Sequence, residues 1–165
     1  MQLDIRRLLS LLTTILLCAA TAWLTWPVHS AFIALFVLPF VALWVPYCSY
    51  IIWRHPARRR LQITKLFLWL TVFAGTCGLH YYYYVSARSA AETAILSVRA
   101  YKQQHGVYPK RLEDAGVALG ELGGAWHIGY VAGDKSASLI YPTTFSIFEA
   151  FIYDFEQDRW VYARD

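Results

Sequence analysis

With 58% apolar and only 16% charged side chains, this chain of 165 residues is too apolar for an ordinary soluble domain, where roughly 45–50% and about 25% are usual. The +4 net charge hides a split: residues 1–85 hold seven Lys and Arg against one acid, Asp4, whereas residues 86–165 hold eight against ten. A nucleic-acid binder carries its basic excess on its folded domain, so that class is excluded. With Cys18, Cys48 and Cys77 all in apolar segments, so are a disulfide framework and a cysteine zinc site in the polar half.

Leu8 to Trp26 carries no charge over nineteen residues, and about twenty are needed to span a bilayer. Ala31 to Trp53 is again uncharged, with Pro39 and Pro46 inside it. Membrane helices tolerate such kinks when neighbours satisfy the freed carbonyls. Between these spans lies only "PVHS", which predicts a helical hairpin. The first span also has the marks of a signal peptide, with a basic start and an Ala20-Thr21-Ala22 site, so cleavage within residues 1–22 stays open.

"RHPARRRLQITK" follows as a basic loop over 54–65, with Arg54, Arg58, Arg59, Arg60 and Lys65. With Arg6 and Arg7 ahead of the first span, these residues read as a topology signal that holds both segments in the cytoplasm. Attraction to anionic headgroups is compatible with that reading. The third span is Leu66 to Tyr84. Three spans put everything beyond it on the far side, which in a bacterial inner membrane is the periplasm.

Tyr81, Tyr82, Tyr83 and Tyr84 end the third span. At 100° per residue they ring a helix and define no single face. That suits the membrane–water interface, where the ring stays in apolar surroundings and the hydroxyl in water. The helix need not stop there. Ala90, Ala91, Ala94, Ile95, Val98 and Tyr101 share one side, and Arg88, Glu92, Arg99 and Gln103 the other. Gly106 supplies a left-handed end, giving a helix of about forty residues at that spacing. Tyr108 then returns to the core, Pro109 starts a turn, Leu112 buries beneath it and Gly116 closes it.

The stretch "ETAILSVRAYKQQHGVYPKRLEDAGV" (Glu92 to Val117) resembles the region after the long N-terminal helix of type IV pilin-like proteins, especially type II secretion pseudopilins. The resemblance covers about residues 82–117. It implies a long helix packed on a small antiparallel sheet. It does not extend to a prepilin peptidase site, since nothing near Lys65 to Phe73 matches one.

Past a Gly-rich link, four β patterns follow: "AWHIGYV", "SASLIY", "FSIFEAFIYDF" and "WVYARD". In the third, Phe145, Ile147, Phe151, Tyr153 and Phe155 fall on one side. Ser146, Phe148, Ala150, Ile152 and Asp154 fall on the other. Apolar residues on both sides predict an interior strand of a meander covered by the helix. The whole reads as an α+β membrane protein, with a membrane domain over 1–85 and a periplasmic pilin-like domain over 86–165.

No G-x-S-x-G, HExxH, P-loop or G-x-G-x-x-G occurs, and no two histidines stand at metal-ligand spacing. Alternating Asp154, Glu156 and Asp158 read as a solvated hairpin turn, with calcium binding as the alternative. No enzyme, cofactor or metal is expected. The partners are the lipid bilayer and a protein in the periplasm, met by exposed aromatics; Trp126, Tyr130, Trp160 and Tyr162 are the candidates, with a core position as the alternative for Trp126 and Trp160. An immunity protein against an envelope-acting toxin fits. An accessory part of a secretion or pilus-like machine, or a structural subunit of a larger membrane complex, stays open. Oligomeric state does not follow from the sequence.

Overall fold

The computed structural model describes residues 5–117, 128–133, 136–146 and 148–164. The chain divides into two compact units, Met1–Leu79 and His80–Asp165.

The first unit holds α1 (Ile5–Thr25), α2 (Ile33–Arg54) and the start of α3 (Pro56–His105). All three helices are long and apolar enough to cross a membrane. Their large apolar side chains point outward: Leu16, Trp23, Phe36, Phe40, Leu43 and Phe67 are exposed. This inverts the soluble pattern, in which a helix turns its polar side to water. Hydroxyls within these apolar helices bond back to their own helix. Thr14 Oγ1 donates to Ser10 O at 3.0 Å, and Thr21 Oγ1 donates to Leu17 O at 2.9 Å. Thr25 and Thr76 meet hydroxyl to hydroxyl at 3.2 Å.

The turn between α1 and α2 is tight, with Ser30 N donating to Pro27 O at 3.2 Å and His29 at φ 71. α2 runs through Pro39 and Pro46. The expected basic loop over 54–65 is largely helix. His55 alone separates α2 from α3, because Pro56 stands at the first helical position, where a missing N–H costs nothing. α3 is accordingly 50 residues long, not about forty.

The second unit packs the outer part of α3 on a four-stranded antiparallel meander. The strands are β1 (Gly129–Ala132), β2 (Ala137–Pro142), β3 (Glu149–Asp154) and β4 (Arg159–Arg164), in the order β1-β2-β3-β4. Ala87, Ala91, Ala94, Ile95 and Val98 face the sheet and join Leu139, Tyr141 and Tyr153 in one core. The alanines are small, so the helix backbone lies close to an aromatic sheet and interior packing stays dense.

Gly106 ends α3 at φ 76, and its N–H donates to Lys102 O at 2.8 Å. Tyr108 and Leu112 then bury in the core. A 3-10 turn at Leu112–Ala115 ends on Gly116 at φ 75. Asp114 closes its front by accepting from the Arg111 N–H at 3.0 Å.

The third strand starts later than its sequence pattern predicts. Phe145 and Phe148 lie in a turn ahead of β3, and both are exposed; Ile147 is outside the described residues. Side-chain bonds make the turn. Thr143 Oγ1 donates to Ser146 O at 2.9 Å and accepts from Ser146 N at 3.2 Å, and Ser146 Oγ accepts from Phe148 N at 3.2 Å. Such local bonds compete with a strand ladder. β3 lies between β2 and β4, so the interior position expected of it holds.

Candidate functional site

Strand register assigns the sheet's two faces. Leu139 pairs with Tyr153, Tyr141 with Phe151, Tyr153 with Trp160 and Phe151 with Tyr162. All these side chains therefore lie on the face turned toward α3. Tyr141 stacks on Phe151 at 5.4 Å between centroids, and Trp160 meets Tyr141 edge-on at 5.4 Å and Tyr153 at 5.1 Å.

Tyr130, Trp160 and Tyr162 thus share the helix-side face. Tyr130 and Trp160 pack partly buried against the core. The Tyr130 hydroxyl donates to Pro109 O at 3.0 Å, and burial raises its pKa to about 12. Arg88 lies over the Trp160 ring at 5.7 Å. Only Tyr162 of the three is exposed, resting against Phe151 at 5.4 Å. Trp126 lies outside the described residues.

The opposite face is aliphatic. Ile140 pairs with Gly129 and Ile152, and Ile152 pairs with Val161; Val131 follows Gly129 by two residues. Val131 is 63% exposed and Val161 41%. Ala150, Ala163 and Pro142 extend the surface, and Asp154 and Arg159 pair at its edge. The sequence does not single out this face, because on β4 the aromatic and aliphatic residues alternate and either set fits a core.

The acidic run separates into distinct tasks. Asp154 Oδ1 accepts the N–H groups of Glu156 and Gln157 at 2.8 and 3.1 Å, which shapes the β3–β4 hairpin. Asp158 turns away to Arg99 and the Tyr153 hydroxyl. Glu156 is exposed. Among the described residues no three His, Cys, Asp or Glu side chains converge as a metal site would require.

Tyr81 and Tyr82 are exposed, while Tyr83 and Tyr84 are half-buried. His80, just ahead of the ring, is buried, with Nδ1 at 3.1 Å from Thr144 O. In the first unit, Arg54, Arg58, Arg59 and Arg60 are exposed, whereas Lys65 is only 6% exposed. Arg6, Arg7, Arg58 and Lys65 line one cavity. The sequence gives no sign of that convergence, which brings together segments fifty residues apart.

Comparison of the chain with family models, with curated proteins and with solved structures finds no match.

Proposed function

We propose that the protein is a non-enzymatic membrane-anchored binding protein whose C-terminal α+β domain takes up a protein partner. The observation that carries this reading is the aliphatic sheet face, Val131, Ile140, Ile152 and Val161. An apolar patch open to water is a cost that a binding surface explains. The three apolar helices supply the anchor. The basic residues at the start of α1, the end of α2 and the start of α3 support an inside orientation for those ends, and hence a periplasmic domain in a bacterial inner membrane.

Within this class we assign a role in immunity to an envelope-acting toxin. Small size, an anchor and a compact binding domain support it. The accessory role in a secretion or pilus-like machine draws its support from the long helix ending at Gly106, followed by Tyr108 and the short turn at Leu112–Ala115, the arrangement on which the pilin resemblance rests.

The test is photo-crosslinking in cells from probes at Val131 and Val161, with Thr93, exposed on α3, as control. One secreted toxin captured from the sheet probes alone supports immunity. Secretion components captured there move the protein to the accessory class. A folded protein that yields no adduct at either valine loses the binding-module reading.

A further inference from the structure

The cavity in the first unit is built from residues of all three helices and has a volume of about 650 Å³. Arg6, Arg7 and Ser10 come from the first turns of α1, Tyr47 from α2, and Arg58 and Lys65 from the start of α3. Four cations therefore line one space. Residues 1–85 contain a single acid, Asp4, so at most one of the four charges is neutralised from within this half of the chain.

Lys65 is the informative member. Arg59 and Arg60 are exposed and stand outside the cavity lining. Lys65 is 6% exposed, and its Nζ donates to Ser10 Oγ at 2.5 Å. An ammonium group has three donors, so two remain. Ser10, having accepted from Lys65, keeps its own O–H to donate. Burying a cation without a counter-charge is costly. Arg58 adds a planar donor fork suited to two oxygens of one phosphate. Leu61 and Trp44 give the same cavity an apolar wall.

We propose that this cavity binds a phosphate group: the headgroup of an anionic phospholipid, or free phosphate. Basic pockets between spanning helices on the cytoplasmic side suit such headgroups, and the apolar wall suits the glycerol and acyl portion beside them. The proposal rests on the membrane reading of α1 to α3.

Carbonate extraction of membranes tests that reading first. Release of the protein without detergent overturns it and removes the lipid source. The purified full chain in neutral detergent is then titrated with phosphatidylglycerol, phosphatidylcholine and inorganic phosphate, and complexes are counted by native mass spectrometry. Phosphatidylglycerol should bind at least about tenfold more tightly than phosphatidylcholine, and K65M should remove most of that preference. R58Q, a change at an exposed side chain, provides a variant that keeps its fold and should also weaken binding several-fold. R59Q and R60Q should leave it unchanged. Binding that inorganic phosphate displaces at millimolar concentration identifies free phosphate as the ligand; binding that it does not displace identifies the lipid. Equal affinity for the two lipids without phosphate binding, or preference unchanged in both K65M and R58Q, overturns the proposal.

Discussion

Arg99 on α3 holds Asp158 in the β3–β4 turn across fifty-nine residues of sequence, and the Tyr153 hydroxyl completes the group by donating to the same Asp158 oxygen. The guanidinium also lies over the Tyr153 ring at 5.7 Å from its centroid. The contact ties the helix to the far hairpin of the meander. Its side chains remain 43% and 67% exposed, so water screens the pair. D158N and R99A should each cost no more than about 1 kcal/mol, and a double-mutant cycle by thermal unfolding should return a coupling below that sum. Loss of the folded state in either variant contradicts this weighting.

The sheet interior should respond far more strongly. Leu139 is fully buried beneath α3, and L139A removes both its transfer energy and the packing around the hole, at a cost of about 2–5 kcal/mol. Hydrogen exchange of the β2 and β3 amides in the full chain in detergent measures it. V161A, on the open face, should change stability by less than about 0.5 kcal/mol while weakening capture of the partner.

Tyr141 is fully buried, and its hydroxyl has no hydrogen-bond partner among the described residues. A buried hydroxyl without a partner costs about 1–3 kcal/mol. Y141F keeps the stack on Phe151 and should be neutral or stabilising by about 1 kcal/mol. A marked loss of stability would show that the hydroxyl does useful bonding.

Alkaline pH should weaken the second unit. Burial raises the pKa of Tyr130 and of Tyr141 from 10.0 to about 12. Below pH 10 both tyrosines are protonated in the folded and unfolded states alike, and they add no pH dependence. Between pH 10 and 12 the unfolded chain loses these protons and the folded one keeps them. The unfolded state then binds fewer protons, so stability falls as pH rises. Unfolding midpoints across this window, followed with tyrosinate absorbance, check the sign. In Y141F the fall should be shallower.

Gly106 and Gly116 both hold positive φ, and a Cβ at either position would meet nothing within 4 Å. Alanine there should therefore cost only backbone strain, about 1–2 kcal/mol, and asparagine less. Melting of G106A, G116A and G116N checks the ranking.

The long apolar helices and the meander were legible because each rests on a strong local pattern: uncharged runs of about twenty residues, and alternation between turn residues. The two glycine stops and the return of Tyr108 and Leu112 to the core were legible for the same reason. The start of α3 was not, because dense charge around Pro56 reads as a loop although that proline opens the helix. The start of β3 was masked by Thr143 and Ser146, whose hydroxyls hold a turn within an apolar pattern. On β4, pairing with Tyr153 and Phe151 puts Trp160 and Tyr162 on the helix-side face, Trp160 packed against the core and Tyr162 exposed. Only the register, a long-range property, shows that Val161 faces out. The basic cavity is likewise a product of three segments meeting.

The order of the strands has a consequence for how the chain is made. Each strand pairs with the one synthesised just before it, so no edge waits long for a distant partner. The helical face that the sheet later covers leaves the ribosome first, carrying chiefly Ala87, Ala91 and Ala94. Such a face exposes little sticky surface in the interval before β1 to β4 arrive. Of the aromatics packed in this core, Tyr130 and Tyr141 come with β1 and β2, and Phe151, Tyr153 and Trp160 with β3 and β4, all beside a helix already able to receive them.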